Sequence, residues 1–248
     1  MLLRITFLIL SLAVAMPVAA GDSRIEEILD SLIESYGGEE NLRKLERMSQ
    51  EWTVVALMSQ RHGTDLRSVR LPGKLRVMLS YPERKETRLL DGDDSYVAFG
   101  EDALGAAQSF QRDAMRLQLM RLYSPLALRD RIDDVTILPN EDNLILTLVE
   151  NGLRADYMID RDHWRITKVL GTQTIGDREM RFLTEYSDFR FVDGVLIHHS
   201  ENKFAGNVNT AVLELRRLEL DVDFGDGHFR PPAQDPTTVE QADRTVSL

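Results

Sequence analysis

Few side chains in this sequence are spaced to do chemistry. Five histidines are present: His62, His163, His198, His199 and His228. His198 and His199 are neighbours in a β-prone run, so they point to opposite faces and cannot act as paired ligands. Cysteine is absent, and no His-x-x-x-His spacing occurs, so neither a metal site nor a cofactor is expected. Asp91-Gly92-Asp93-Asp94 clusters carboxylates, but a calcium loop needs alternating ligands and a closing glutamate. It reads as an acidic hairpin turn. Asp223-Phe224-Gly225 imitates a kinase triplet without any other kinase element around it, and reads as a strand end before the Asp226-Gly227 turn. Gly-x-Ser-x-Gly, the P-loop and Gly-x-Gly-x-x-Gly are all missing, which removes nucleophile-elbow and nucleotide-binding chemistry. No catalytic residues are assigned, and the chain is expected not to be an enzyme.

The bulk numbers narrow the partners. The chain has 248 residues, 43% hydrophobic and 29% charged, with a net charge of −11. Such a balance argues against nucleic acid and against an anionic membrane surface as main partners. At the N-terminus Arg4 precedes an apolar run over 5–15 and then Met16-Pro17-Val18-Ala19-Ala20. A basic start, a short apolar core and small residues at Val18 and Ala20 predict a secretory leader over 1–20, cleaved before Gly21. The run is shorter than the ~20 apolar residues a membrane span needs. Arg4 is the only charge in that leader, so its removal takes the net charge from −11 to −12. Without a cysteine at the cleavage site no lipid anchor is expected. The mature chain is read as a soluble periplasmic monomer.

The elements that could position a site follow from periodicity. Ser23 and Glu26 form a capping-box pattern, after which Ile25, Ile28, Leu29, Leu32, Ile33 and Tyr36 recur on one helical face. Gly37-Gly38 stops that helix, and a second short helix carries Leu42, Leu45 and Met48. From Glu51 the period switches to two, predicting strands over 51–59, 66–71, 74–80, 85–91 and 95–99. The links read as turns at His62-Gly63, Pro72-Gly73, Tyr81-Pro82 and Asp91-Gly92. A long helix is expected over 103–122. Its apolar stripe runs through Leu104, Ala107, Ala114, Met115, Leu119 and Leu122, and Phe110, Leu117 and Met120 widen it. That breadth suits a helix enclosed on more than one side.

Strands then resume at 135–138, 144–150, 153–160, 163–172, 180–192, 195–204 and 210–222. Asp193-Gly194 is the strongest hairpin signal. Pairing outward sets Val192 opposite Val195, Phe191 opposite Leu196 and Phe189 opposite His198. Phe189, Phe191 and Leu196 then share one face, and Val192, Val195 and Ile197 the other. Short reversals mean antiparallel pairing, since parallel strands need long crossovers. The expected fold is α+β in one domain over 21–230: a strongly curved antiparallel sheet of about eleven strands, an incomplete β-barrel wrapped around helices. Residues 231–248 are rich in Pro, Thr, Gln and Asp and read as a disordered tail.

What remains is surface. Trp52 and Val54 share one strand face, Leu75, Val77 and Leu79 another, and Phe110 and Leu117 lie on the enclosed helix. With Phe189, Phe191 and Leu196 these are the candidate lining of an apolar pocket. For any one of them core packing is the ordinary reading. The functional alternative is that sheet and helix close incompletely and leave room for a lipid-like ligand.

Several segments, in this order, carry a resemblance. They are Tyr36-Gly37-Gly38-Glu39-Glu40-Asn41-Leu42, Leu71-Pro72-Gly73-Lys74, Tyr81-Pro82-Glu83, Leu90-Asp91-Gly92-Asp93 and Tyr157-Met158-Ile159-Asp160. Tyr186 to Ile197 and Phe229-Arg230-Pro231-Pro232 complete the set. Together they resemble the LolA/LolB-like superfamily of exported lipid and lipoprotein carriers. The resemblance implies a half-barrel around helices and a lipid, lipoprotein or other acylated ligand held between the concave sheet face and a helix. It also implies a membrane-bound protein as a second class of partner. The alternative within the same fold is a periplasmic sensor or regulatory protein that binds a protein partner or a lipid signal. His198 stands where relatives often have proline, and Leu71 where the lipoprotein carrier has its lid arginine, so no lid role is carried onto any residue.

Overall fold

The computed structural model describes residues 20–140 and 143–232. The leader expected over 1–20 and the tail expected over 231–248 thus lie, apart from Ala20, Pro231 and Pro232, outside the described residues. No helix among the described residues is long and apolar enough to cross a membrane.

The described chain opens with α1 (Ala20–Ser35), α2 (Glu39–Leu42) and a 3-10 turn (Arg43–Glu46). A meander follows: β1 (Arg47–Ala56), β2 (Arg61–Arg70), β3 (Lys74–Tyr81), β4 (Arg84–Asp91), β5 (Asp94–Phe99) and the two-residue β6 (Gly105–Ala106). Two helices interrupt it, α3 (Ser109–Met120) and α4 (Pro125–Arg129). The second meander runs through β7 (Val135–Leu138), β8 (Leu144–Glu150), β9 (Leu153–Asp160) and β10 (Arg165–Ile175). It ends with β11 (Arg178–Val192), β12 (Val195–Ala205) and β13 (Val208–Leu220).

All these strands form one antiparallel sheet in the order β6-β5-β4-β3-β2-β1-β13-β12-β11-β10-β9-β8-β7. Neighbours in the sheet are neighbours in sequence except at the centre, where β1 pairs with β13 and seams the two arms together. The sheet is not closed: β6 and β7 are its edges, and the chain between them carries α3 and α4. Helix α3 touches β4 in one arm and β9 in the other. Eight inter-strand steps separate those strands, ~38 Å in a flat sheet at ~4.8 Å per step. A helix of 12 residues is only ~18 Å long and ~10–12 Å wide with its side chains. The sheet must therefore curve for one helix to reach both arms.

The stripe predicted for α1 is buried throughout, from Ile25 to Tyr36. It packs on α4 and the edge strand β7. The Asp193-Gly194 hairpin has the register read from the sequence, with Val192 opposite Val195, Phe191 opposite Leu196 and Phe189 opposite His198. Asp193 (φ 48°) and Gly194 (φ 84°) supply the left-handed backbone the turn needs. Val195, Leu196 and Ile197 are all buried, because the link between α1 and α2 folds over the turn. The Leu196 N–H donates to the Tyr36 carbonyl at 3.1 Å, and Lys44 Nζ donates to the Asp193 carbonyl at 2.8 Å.

Several expected boundaries are corrected. The sheet has thirteen strands rather than about eleven. The helix expected over 103–122 begins only at Ser109, because Gly105 and Ala106 pair with Val97 and Tyr96 as β6. The backbone N–H of Gln108 is taken by Gln111 Oε1 at 2.8 Å, which fixes the start of α3 there. Met48 belongs to β1, not to a second helix. His62-Gly63 is no turn. Both lie inside β2, and the reversal falls at 57–60. Gly63 marks a close approach instead: a Cβ there would sit 2.3 Å from the Ser80 carbonyl oxygen and 2.7 Å from the Tyr81 ring.

Gly37 makes the tightest of these contacts. Its φ is 106°, and a Cβ would lie 1.9 Å from the Gly194 carbonyl oxygen. Gly37→Ala therefore adds left-handed strain to a backbone clash and should cost about 2–4 kcal/mol. Urea unfolding midpoints of the variant and of Gly38→Ala, where no atom lies within 4 Å of the added Cβ, separate the clash from the φ penalty.

Candidate functional site

Between α3 and the two arms lies a cavity of about 550 Å³. From the first arm Val54, Val77, Leu79, Val97 and Phe99 line it, and from the second Phe182, Phe204, Ala211 and Leu213. Helix α3 contributes Phe110, Ala114, Met115 and Leu117. These side chains converge because period-two alternation sends one set from each strand to the face that α3 covers.

The C-terminal turn of α3 is fixed from below. Tyr157 on β9 donates its hydroxyl to the Met120 carbonyl, and Tyr186 on β11 donates to the Arg121 carbonyl, both at 2.7 Å. Helix ends leave such carbonyls without intrahelical partners, so two buried phenols serve as the cap. Burial raises both hydroxyl pKa values above the ordinary tyrosine value. Both therefore stay protonated as donors. Against the sheet, α3 sits so close to β10 that a Cβ on Gly171 would fall 2.8 Å from Leu117 Cγ.

Beneath the apolar walls lies a charge cluster built across the seam. Arg67 on β2 donates to Asp65 Oδ2 through Nε at 3.0 Å and Nη2 at 2.8 Å. It also donates through Nη1 at 2.9 Å and Nη2 at 3.0 Å to the two oxygens of Glu201 on β12. The Arg67 and Glu201 side chains are each only 1% exposed. Strands β1 and β13 lie between β2 and β12, so the pair spans ~14 Å of sheet and closes only because the sheet is bent. Trp52 on β1 supports it, with its ring centroid 5.0 Å from the Arg67 guanidinium carbon. His198 lies over Trp52 at 5.7 Å between ring centroids and against Tyr186 at 4.3 Å. Its Nε2 is 3.3 Å from Glu201 Oε1.

Burial alone would raise the Glu201 carboxyl. The charges of Arg67 and Lys203, with hydrogen bonds from His198 and Arg67, overcome it and hold the group well below the usual carboxylate range. Lys203, 3.3 Å from Glu201 Oε2, is lowered to about 8, by burial first and then by the Arg67 charge. Further round the wall Glu86 accepts from Arg88 at 2.6 Å and from Arg84 at 3.1 Å. Arg121, just past α3, donates to Thr184 Oγ1 at 3.3 Å.

Of the ten candidate pocket residues, Val54, Val77, Leu79, Phe110 and Leu117 line this cavity. Trp52 lies under the charge cluster and Leu75 in the core, both fully buried. Leu196 lines a separate cavity of about 60 Å³. Phe189 stands edge-on to His198 at 6.3 Å, and Phe191 is 63% exposed at the hairpin tip. The charged lining was not foreseen. Its signal is Asp65-x-Arg67, Glu86-x-Arg88 and Glu201-x-Lys203, opposite charges two apart and therefore on one strand face. Among the described residues no group of three or more His, Asp or Glu side chains is arranged to hold a metal ion.

With this geometry in hand, the fold is LolA-like. A crystal structure of a LolA superfamily protein from Nitrosomonas europaea aligns with a TM-score of 0.53 over 86% of this chain and 98% of that one, at 15% identity. A domain assigned to outer membrane lipoprotein sorting from Vibrio parahaemolyticus aligns at 0.51 over 83% and 97%, at 11% identity. Neither a protein-family model nor a curated protein sequence matches the chain. The likeness is one of fold.

Removing one partner of a buried ion pair leaves the other uncompensated, so Arg67→Ala should cost about 3–5 kcal/mol in urea unfolding. A loss below about 1 kcal/mol would contradict the bridge. The Glu201 carboxyl has an ordinary value of 4.5 and a lower one in the fold. The folded chain therefore binds fewer protons than the unfolded chain once the pH drops below that ordinary value. The stabilisation is complete above about pH 5 and is lost as the pH falls through the folded value. Glu201→Gln should flatten this acid limb when unfolding midpoints are followed from about pH 7 to about pH 3.

Proposed function

We propose that this chain is an exported, non-enzymatic carrier or binding protein for a lipid, lipoprotein or other acylated ligand. In this reading the open sheet acts as a half-barrel wrapped around its helices, and the acyl chain lies between α3 and the concave face. The observation that carries it is the cavity of about 550 Å³ with apolar walls drawn from both arms and the helix. Ligand cavities of this kind run to about 300–1,000 Å³. Each buried methylene contributes ~0.8 kcal/mol, so ten supply ~8 kcal/mol to set against the cost of association.

The cavity mouth supports loading from outside. Phe99 and Phe110 line the cavity yet remain 46% and 42% exposed. An acyl chain entering past them would bury both rings, which stabilises the loaded state without any rearrangement of the sheet. Delivery in the periplasm, with a membrane-bound protein as the exchange partner, fits the leader read from the sequence and the LolA-like fold.

Native mass spectrometry of the mature chain, purified without detergent, tests the proposal. The expected spectrum contains acyl-lipid adducts, and labelled lipid re-enters the delipidated chain. Ala211→Trp, which fills the cavity from β13, should reduce uptake at least about tenfold. A bare mass together with no uptake of labelled lipid would overturn the carrier reading.

A further inference from the structure

The apolar walls account for an acyl chain, but not for the cations set among them. Arg67, Arg84, Arg88, Arg121 and Lys203 lie in or directly under the cavity, against the carboxylates Asp65, Glu86 and Glu201. The chain as a whole carries a net charge of −11, so the cavity reverses the sign of the molecule. Most of these charges are spoken for. Arg67 is held by two carboxylates, and Arg84 and Arg88 share Glu86.

Arg121 and Lys203 are different. Among the described residues no carboxylate lies in ion-pair range of Arg121. Its side-chain hydrogen bond goes to a neutral hydroxyl, Thr184 Oγ1, and its buried Nε has no partner. Lys203 has only the 3.3 Å approach to Glu201, and that carboxylate already accepts two hydrogen bonds from Arg67. Thr184 and Lys203 are cross-strand partners, so the hydroxyl that Arg121 holds and the Lys203 side chain leave the sheet side by side, and Arg121 and Lys203 both line the cavity. The α3 dipole supplies only partial negative charge at Arg121, and its last carbonyls are occupied by Tyr157 and Tyr186. An incompletely paired cation pair in an apolar cavity disfavours the empty fold, and an anion between the two would relieve that cost. Burial accordingly lowers the pKa of both groups.

We propose that the cavity selects acyl ligands whose head is an oxyanion, a carboxylate or a phosphate, seated between Arg121 and Lys203 with the chain running along the apolar walls. This rests on the acyl-carrier reading and adds the chemistry of the head group. A purely lipophilic cavity would favour an alcohol over its acid, because burying an unpaired charge costs more than burying a hydroxyl. Two charge-assisted contacts reverse that order.

The test uses the delipidated mature chain and four probes below their micelle concentrations: dodecanoate, dodecyl phosphate, dodecanol and inorganic phosphate. Isothermal titration should show the two acyl oxyanions binding about 10- to 100-fold tighter than dodecanol, with inorganic phosphate far weaker than dodecyl phosphate. Arg121→Gln and Lys203→Met should bring the ratio of acid to alcohol towards one, and Lys203→Arg should retain it. Unchanged far-UV circular dichroism and cooperative urea unfolding show that each variant folds, so that a changed ratio reports on the head-group contacts. Equal wild-type affinity for dodecanoate and dodecanol would overturn the head-group proposal and leave the carrier reading standing. Binding of none of the three acyl probes would overturn both. Inorganic phosphate binding as tightly as dodecyl phosphate would make this an anion site without acyl selection, which also contradicts the proposal.

Discussion

The structure depends on one ion pair placed where its two halves meet. The two meanders share no hairpin at the centre, only the β1–β13 seam. Arg67 and Glu201 reach over that seam from β2 and β12, and Asp65 accepts from the other edge of the guanidinium, at Nε and Nη2. A buried pair is weak evidence for raw stability, because desolvating both ions cancels most of their attraction. Its stronger effect is geometric. A pair that closes only when the arms are bent makes the flat sheet pay for two buried, separated charges. The curvature that opens a cavity under α3 and the charge that tiles its floor therefore have the same origin.

The helix is held to that floor by a complementary set of contacts. Tyr157 and Tyr186 take the last carbonyls of α3, and Gly171 lets Leu117 approach β10 at backbone distance. Both tyrosines come from the second arm, whereas Arg88 on the first arm meets Gln118 at 3.4 Å. Arg116 on α3 also donates to Asp93 Oδ1 in the β4–β5 turn at 2.5 Å, so the helix is anchored to both arms. The space left between them is the cavity.

Much of the fold was legible because it follows from periodicity and turn chemistry. The α1 stripe, the Asp193-Gly194 register and the antiparallel meander are local consequences of residue type. The misread segments were those where tertiary contacts override local signals. Gly63 looks like turn punctuation, yet it is a strand residue thinned to admit the Tyr81 ring. Gly105 and Ala106 carry helix-compatible neighbours but pair with β5.

The site was less legible, for a related reason. In β2 the apolar Leu66 points outward at 39% exposure while Asp65 and Arg67 point in, the reverse of what hydrophobic patterning predicts. Only the partner on a distant strand makes that inversion affordable, and Glu201 is 134 residues away in sequence. Half of the expected apolar lining does face the cavity, but the cations that give it character do not show in an apolar count. The most direct check of where a ligand sits is photolabelling with a diazirine at the end of a saturated acyl chain, mapped by peptide mass spectrometry. Adducts on Leu79, Leu117, Phe182 and Leu213 are predicted. Labelling confined to the outer sheet face, for example at Leu66 or Met78, would contradict the account.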